Sequence, residues 1–499
     1  MRRTRFGAGW WAAGLLVLTT GPLAGQMAPP VAGAAAAAAT ITADDMRREL
    51  GVIAHDSMRG RDTPSPELME TALHVADRFA AAGLAPGNGD SFLQFYPISR
   101  VEPGPAAAHR LAIRGPGGET EPVYGEQYFS LHEARTAEGE GALVLVDPAS
   151  GTMPEVNGKV VLAHVTTANL REVLGGAMAG RLRPHEPAGV LIVLDIPENF
   201  FAQMRGYLTG GRARLGEVQE EGVPAAFVSM KALPAGLVAA IQAGALPEGW
   251  TASLRSEASV EVVEAPNTIG WLEGSDPELK DEYVLFSAHM DHVGIGRPVD
   301  GDSVFNGADD NASGTVTVME LAEAFAFLPE RPRRSLVFVT VSGEEKGLLG
   351  SSWYAGNPTF PLDRTVANLN LDMVGRNWPD TIVAIGKAES SLGPLVERIA
   401  AEHPELDMAV IDDPWPEESF YTRSDHFNFA RRGVPILFFF NGTHEDYHAP
   451  SDEAEKIGYD KMARIGRLLF YLGFEVANAD EPPRWDPDAY ARIVQPASD

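Results

Sequence analysis

The chain has 499 residues, which suggests two or three domains, and its composition of 44% apolar and 22% charged residues is typical of a globular protein. Its formal net charge of −29 argues against nucleic acid or an anionic membrane surface as a partner, because both would repel it. The chain contains no cysteine, so its core and any bound metal must stabilise it without disulfides.

The first 26 residues have the pattern of an export signal. Three arginines within the first five residues precede an apolar run at 9–20, and small residues near position 25 offer a cleavage zone. The apolar run is short for a membrane span, although a retained N-terminal anchor is the alternative. We expect an exported protein, periplasmic or secreted, with no stable membrane insertion once the signal at 1–26 is removed.

Residues 27–41 are rich in alanine and low in complexity, which predicts a disordered spacer. From Ile41 the pattern changes, and two amphipathic stretches within residues 42–118 predict helices. Gly83 and Pro86 follow the second stretch and indicate where that helix ends.

Residues 119–259 have a different rhythm. Short β-rich runs alternate with turns that contain glycine and proline. The phrases VNGKVVLAHV, PAGVLIVLD and GVPAAFVSM resemble a protease-associated (PA) domain, which implies an inserted module that shapes substrate access or mediates contacts. An unspecified β-rich lobe is the alternative interpretation.

Residues 260–478 alternate near-continuous apolar strands with helices, which predicts an α/β fold whose sheet is covered on both faces. The acidic, proline-rich segment 479–499 predicts a loosely packed C-terminal tail. None of the motifs described next lies in the β-rich segment, so the chemistry is expected in 260–478.

Five side chains of metal-binding type recur in short motifs along this region. They are His289 in SAHMDH, Asp310 in NGADDNASG, Glu345 in SGEEKGLLGS, Asp372 in NLNLDMVG and His448 in EDYHAPSD. Two histidines and three carboxylates can hold two divalent metals that share a bridging carboxylate, and this donor set suits zinc. Two metals beside a glutamate make a site that activates water, so the sequence indicates a metallohydrolase.

These motifs, in this order, resemble peptidase family M28, the zinc exopeptidases that include the co-catalytic aminopeptidases. The resemblance covers about 260–475 and, more weakly, 42–115. It implies a mixed central β-sheet flanked by helices on both faces, with 42–118 as the N-terminal part of the catalytic domain and 260–478 as its core.

The resemblance also implies which residues bind the ions. One zinc ion would be held by His289, Asp310 and Asp372, and the other by Asp310, Glu345 and His448, so that Asp310 bridges the two. It further implies a cis peptide bond between the bridging aspartate and the asparagine that follows it.

Other residues receive roles around this set. Glu344 matches the family's general base, which takes a proton from water and passes it to the leaving amine. Strand alternation places Asp291 where it can accept the second ring N–H of His289, whereas His292 points the other way and is predicted to be structural. Tyr421, in SFYTRSDHFNF, is a candidate donor to the tetrahedral oxyanion, with simple packing as the alternative.

Asp452 or Asp446 is expected to orient His448. The predicted function is that of an exported dinuclear zinc exopeptidase, an aminopeptidase that removes N-terminal residues from peptide substrates. A carboxypeptidase is the first alternative, kept open by a basic cluster at Arg423 and residues 431–432. A glutaminyl cyclase-like transferase and a non-catalytic binding protein are the others, and the sequence carries no signal for an oligomeric state.

Overall fold

The computed structural model of the protein describes residues 33–148, 153–170, 177–182, 184–209 and 212–495. The predicted export signal at 1–26 and the first part of the predicted spacer lie outside these residues. Among the helices of the described ranges, none is long and apolar enough to cross a membrane.

The described chain contains strands and helices in mixed order, with several strands that follow one another directly. The strands are β1 (Ala85–Pro86), β2 (Leu93–Pro103), β3 (Arg110–Gly115), β4 (Gly118–Thr120), β5 (Tyr128–Leu131), β6 (Ala134–Val146), β7 (Val160–Thr166), β8 (Gly189–Asp195), β9 (Arg212–Leu215), β10 (Gln219–Gly222), β11 (Ala225–Ser229), β12 (Thr251–Leu272), β13 (Tyr283–His289), β14 (Ile295–Val299), β15 (Asp302–Val304), β16 (Ser335–Val341), β17 (Thr365–Asp372), β18 (Thr381–Ile385), β19 (Ala409–Ile411) and β20 (Ile436–Phe440). The helices are α1 (Ala34–Ala38), α2 (Ala43–Ile53), α3 (Pro66–Ala82), α4 (Ala177–Leu182), α5 (Glu198–Leu208), α6 (Ala235–Gln242), α7 (Gly314–Ala326), α8 (Leu349–Gly356), α9 (Leu392–Glu402), α10 (His426–Ala430), α11 (Tyr459–Asn478) and α12 (Pro487–Ile493).

The main sheet has four parallel strands at its centre, in the order β16, β13, β17 and β20. Strands β12 and β18 flank them in antiparallel orientation, so the sheet is mixed. Every residue of β16 is buried, as expected for a strand covered on both faces.

Helices cover both faces of this sheet. Because successive residues of a strand point to opposite sides, Phe286 of β13 faces a core shared with α2, α3, α7, α9 and α11, whereas Leu285 faces a second core shared with α8, α10 and α12. The predicted α/β class, with a mixed central sheet and helices on both faces, is confirmed. The two helices predicted in 42–118 are confirmed as α2 and α3, and Gly83 ends α3 in a left-handed conformation.

The predicted spacer is not disordered in its described part. Helix α1 lies within residues 33–41, and its Ala37 and Ala38 are buried against α7 and α11. Alanine side chains are small enough for close approach of helices, so a run that reads as low in complexity can still pack. The prediction of disorder is therefore wrong for residues 33–41.

The prediction of a loosely packed tail is also wrong for residues 479–495. The Trp485 Nε1–H donates to the Gly433 carbonyl oxygen over 2.8 Å, and Ala489 and Ile493 of α12 are buried in the core that contains Leu285. The buried apolar residues of the tail lie on one side of a short helix. The high proline content of the segment hid this helical pattern in the sequence.

The segment 119–259 contributes most of a second unit with two apolar cores of its own. Strands β6, β7, β8 and β11 are parallel, and β5 pairs antiparallel with β11, so the predicted β-rich runs are strands. The boundary predicted at 259 falls inside β12, which pairs with β6 at its start and with β16 at its end. The resemblance of this unit to a PA domain stays a prediction.

We expect two glycine-to-alanine changes in helices to affect stability in opposite directions. A Cβ at Gly473 in α11 would lie 2.3 Å from Cζ of Phe286, whereas a Cβ at Gly51 in α2 meets nothing within 4 Å. Gly473→Ala should lower the free energy of unfolding by about 1–3 kcal/mol through overpacking. Gly51→Ala should raise it by up to about 1 kcal/mol through helix propensity.

Urea unfolding of both variants followed by circular dichroism measures the difference. Equal effects of the two changes would contradict the tight contact between α11 and β13.

Candidate metal centre

The five predicted ligands meet at the carboxyl edge of the main sheet. His289 ends β13, Asp372 ends β17, and Glu345 follows β16. Asp310 lies just ahead of α7, and His448 lies in the loop between β20 and α11. Because β13, β16 and β17 are parallel, their carboxyl ends lie side by side, which is where open α/β sheets place their sites.

Asp310 lies between two sets of donor atoms. Its Oδ1 is 3.4 Å from His289 Nε2, which is 3.3 Å from Asp372 Oδ1. Its Oδ2 is 3.2 Å from His448 Nε2, which is 3.1 Å from Glu345 Oε2. Zinc bonds of about 2.0–2.2 Å in a tetrahedron place neighbouring ligand atoms about 3.4 Å apart, so both donor sets have a spacing that fits zinc.

His292 lies at this site, so the prediction that its ring points the other way is wrong, while its structural role stays a prediction. Its Nδ1 lies 2.8 Å from Glu345 Oε1 and 3.7 Å from Asp310 Oδ2, and it groups with His448 among the possible ligands. The predicted direction of the His292 side chain assumed that strand alternation continues past His289, but β13 ends at His289. A histidine next to an H-x-D pair was the signal that the sequence offered.

Opposite charges determine the protonation of the donors. Burial opposes the charge on His448, but Asp310 and Glu345 outweigh it and raise the pKa of this histidine to about 10. Burial works against the charge on Asp310 as well, yet His292, His289 and His448 hold the pKa of its carboxyl well below the usual range. A divalent cation would therefore replace protons on the imidazoles, so its affinity should fall as the pH falls.

Glu344 stands beside the first donor set, within 4.8 Å of ligand atoms of His289 and Asp372. Burial raises the pKa of its carboxyl well above the usual range; the charge of His289 opposes this shift, and Asp425 and Asp372 reinforce it. A carboxyl group with a raised pKa binds a proton more tightly than an ordinary carboxyl group, which suits a group that receives a proton as a general base.

Asp291 connects His289 to the segment that carries Glu344. Its Oδ1 accepts the Glu344 backbone N–H over 3.2 Å, and its Oδ2 accepts the Thr63 hydroxyl over 2.9 Å. The His289 Nδ1 is 3.7 Å from Asp291 Oδ1 but 3.2 Å from the Asp291 backbone oxygen, so the backbone is the nearer acceptor for the ring. The Thr63 oxygen also accepts the Gly343 N–H over 3.0 Å.

Arg61 places a full positive charge beneath the site. It is completely buried and donates to the carbonyl oxygens of Met290 at 2.9 Å, Asn306 at 2.7 Å, Gly307 at 3.0 Å and Ile53 at 2.8 Å. Burial lowers its pKa to about 10, which leaves the guanidinium charged at neutral pH. This cation joins the strand end after β13 to the loop that carries the bridging carboxylate.

Further carboxylates fix the loop around Asp310. Asp452 accepts the backbone N–H groups of Asp309 at 3.0 Å and Asp310 at 3.1 Å. Asp309 accepts the Gly375 N–H over 2.6 Å, and its second oxygen lies 3.2 Å from His444 Nε2. The Asp310 segment is thus held from the backbone side, and His444 is a supporting histidine that the sequence motifs did not single out.

Two other predictions concern this loop. The cis peptide bond between Asp310 and Asn311 is confirmed. The prediction that Asp452 or Asp446 orients His448 does not fit the contacts: Asp452 holds the aspartate loop, while Asp446 pairs with an arginine and a lysine.

A cavity of about 390 Å³, counted to its open mouth, opens on the donor atoms. Asp310, Glu344, Asp372 and His448 line it, and apolar side chains form part of its wall. The apolar wall residues are Met373, Phe420, Phe438 and Phe440.

Tyr421 is not among the residues that line the cavity. Burial raises the pKa of its hydroxyl, and the charges that act on it are Glu389 and Arg492, away from the donor atoms. Tyr447 lines the cavity instead, with its ring stacked on His448 at 4.0 Å between centroids. Burial and the site carboxylates raise the pKa of the Tyr447 hydroxyl, so it keeps its proton and can donate.

Comparison with known proteins agrees with this architecture. Over 91% of its length the chain superimposes on 98% of an aminopeptidase from Aneurinibacillus sp. strain AM-1, with a TM-score of 0.55 and 18% identity, a likeness that shows the fold alone. Aminopeptidase YwaD of Bacillus subtilis is 29% identical over 206 residues, which are 39% of this chain and 43% of that protein. Leucine aminopeptidase 1 of Penicillium rubens is 27% identical over 216 residues, 41% of this chain and 55% of that protein.

The fold is an α/β fold with a mixed sheet, and two groups of possible metal ligands lie at its carboxyl edge. Residues 267–473 match the sequence model of peptidase family M28. The chain spans about half the length of the Bacillus subtilis and Penicillium rubens relatives.

We expect the Thr63 hydroxyl to contribute measurably to stability. Thr63→Val keeps the shape but leaves the buried Asp291 Oδ2 and the Gly343 N–H without this partner, which should cost about 1–3 kcal/mol. Thr63→Ser keeps the hydroxyl and loses one methyl group, so it should cost about 0.8 kcal/mol. Urea unfolding of both variants measures the difference, and a valine variant as stable as the serine variant would contradict this role.

Proposed function

We propose that the protein is an exported dinuclear zinc exopeptidase that acts as an aminopeptidase on peptides. The observation that carries the proposal is the carboxylate of Asp310, whose two oxygens face separate His–carboxylate sets, with Glu344 beside one of them at the end of a cavity. Export rests on the sequence pattern of residues 1–26.

The donors divide into two groups around the shared carboxylate. His289, Asp310 and Asp372 would hold one zinc ion, and Asp310, Glu345 and His448 the other. When bound, two zinc ions supply Lewis acidity that polarises a carbonyl group and lowers the pKa of water.

The chain's own residues complete the reaction. Glu344 accepts the proton of the attacking water and returns it to the leaving amine, for which its raised pKa is suited. Tyr447, which lines the cavity and keeps its proton, donates a hydrogen bond to the oxyanion that develops on the former carbonyl oxygen. Asp291 and Thr63 hold the Glu344 segment against His289, so that these groups need no rearrangement during the reaction.

The overall charge of the protein favours a substrate with a free amino terminus. The whole chain carries a formal charge of −29, so a positively charged amine is attracted to it, although zinc would offset the charges of Asp310 and Asp372 in the cavity. The apolar wall favours an apolar side chain on the first residue of the peptide. The relatives named above are themselves called aminopeptidases.

A carboxypeptidase is the second candidate, and one residue favours it. Arg423 lines the cavity and offers a guanidinium to a substrate carboxylate, whereas Arg431 and Arg432 of the predicted basic cluster do not line it. Arg423 Nη1 already lies 3.3 Å from Glu418 Oε2, so the carboxylate of Glu418 neutralises part of the charge of Arg423. The guanidinium also lies 4.7 Å above the Phe420 ring.

We expect the protein to bind two zinc ions per chain, with Asp310 required for both. Asp310→Ala should lose both ions, because each donor set contains one of its oxygens, whereas Asp372→Ala should lose mainly one. Asp44→Ala, at an exposed position in α2, is the matched control and should keep two. Metal content after equilibrium dialysis against zinc, measured by inductively coupled plasma mass spectrometry, tests this, and one ion in the unaltered protein would contradict the proposal.

Cleavage of one peptide in free, N-acetylated and C-amidated forms decides which terminus is attacked. We expect loss of N-terminal residues from the free and amidated forms, no loss from the acetylated form, and no activity after chelation. Glu344→Gln should lower kcat by about 10²–10⁴-fold and keep its zinc, because Glu344 acts as a base and not as a ligand. The neighbouring Glu345→Gln should lose zinc as well as activity.

Mass spectrometry of the products measures each outcome. Trimming from the other end, blocked by amidation and weakened by Arg423→Gln, would establish the carboxypeptidase instead. Cyclisation of N-terminal glutamine with no cleavage of any form would favour the transferase alternative.

A further inference from the structure

Two tryptophans form an exposed platform at the end of the molecule that carries the cavity. Trp378 lies in the loop after β17, and 40% of it is exposed. Its ring stacks on that of Trp415 with 5.9 Å between centroids and 16° between planes. Large exposed apolar side chains are unremarkable singly, but a stacked pair presents a flat surface that suits a ring or a large apolar group.

The platform is continuous with the wall of the cavity. Trp415 meets the edge of Phe420 at 5.8 Å and of Phe440 at 6.1 Å, and these two rings lie 4.8 Å from each other. Phe420 and Phe440 both line the cavity that opens on the donor atoms. A row of aromatic rings therefore leads from the wall of the cavity to the surface at Trp378.

The platform is also fixed in place. The Asn377 side-chain amide donates to the carbonyl oxygens of Asn441 at 2.7 Å and Gly442 at 3.3 Å, which ties the Trp378 loop to the segment that reaches the cavity. Trp415 lies directly on Gly442, where a Cβ would be 2.4 Å from Trp415 Cη2 and φ is +81°. A surface that is already ordered loses little conformational entropy when it binds a ligand.

We propose that this platform is a substrate subsite for a large apolar side chain, aromatic by preference, of a residue that follows the cleaved bond. The inference rests on the proposed aminopeptidase function. The cavity opens to solvent, so a peptide whose first residue occupies it must leave through the mouth. The rings that extend from Phe420 and Phe440 to Trp378 offer that part of the peptide an apolar path.

Acidic residues near the two tryptophans in sequence favour an uncharged substrate side chain over an acidic one in this subsite. Asp412, Glu417 and Asp380 are exposed close to the two tryptophans in sequence, and they would repel a substrate carboxylate. A basic side chain is the competing occupant, since it could lie over a tryptophan face, and the experiment distinguishes it.

Hydrolysis of a matched set of tripeptides tests the subsite. We would compare kcat/KM for Leu-Gly-Gly, Leu-Trp-Gly, Leu-Gly-Trp and Leu-Gly-Lys with the full zinc-loaded protein. We expect one tryptophan peptide to be preferred over Leu-Gly-Gly by about three- to tenfold, the range that aromatic pairing provides. In Trp378→Ala this ratio should fall to about one, and Trp378→Phe should restore part of it.

Phe327→Ala is the matched control, because Phe327 is 60% exposed and follows α7 rather than the cavity rim. It should leave the ratio unchanged. An undiminished preference in Trp378→Ala, or a preference for the lysine peptide that Trp378→Ala abolishes, would overturn the proposal.

Calorimetric binding of the same peptides to Glu344→Gln and to the double variant Glu344→Gln, Trp378→Ala separates this proposal from the proposed function. If the unaltered protein cleaves none of the peptides, the aminopeptidase proposal fails, and the affinities still decide the subsite. Three- to tenfold tighter binding of a tryptophan peptide that depends on Trp378 would support the subsite, and equal affinities would overturn it.

Discussion

The concentration of carboxylates at one end of an apolar sheet is the constraint on which the rest of the structure depends. Asp291, Asp310, Glu344, Glu345 and Asp372 lie together where the central strands end, and their charges cannot be buried without compensation. Three histidines, a buried guanidinium and the backbone N–H groups of the surrounding loops provide it. The same set of charges is what a pair of divalent cations requires, so stability without metal and affinity for metal have one origin.

The surrounding charges and burial also shift the pKa values of the adjacent Glu344 and Glu345 in opposite directions. Glu345 faces His292 and His448, which outweigh burial and hold the pKa of its carboxyl below the usual value. Burial raises the pKa of Glu344 against the charge of His289, and neighbouring carboxylates reinforce the shift. Neighbouring positions on one loop thus give one group that stays ionised, as a ligand does, and one that exchanges a proton, as a base does.

Much of this arrangement could be predicted from the sequence, because it depends on local patterns. The apolar runs of β13, β16 and β17 and the motifs at their ends identify the sheet and its five donor residues. Arg61 and Thr63 could not be found in this way, because Met290 and Asp291, their partners near the donor residues, are more than 220 positions away along the chain. Tyr421 and Tyr447 both adjoin recognisable motifs, and only the packing of the loops decides which ring faces the cavity. His292 was missed because its direction depends on the residue at which β13 ends.

The length of β12 has a mechanical consequence. Its residues 258–268 pair with β2 in an antiparallel ribbon before the strand enters the main sheet, so the outer unit is carried on a stem of β12 and β2, which β9 joins along Ile98–Val101. At the base of this stem Asn267 accepts the Ser342 N–H over 3.2 Å, and Tyr96 donates to the Ser342 oxygen over 2.9 Å, two residues ahead of Glu344. A displacement of the outer unit would therefore be transmitted through these two hydrogen bonds to the loop that carries Glu344 and Glu345.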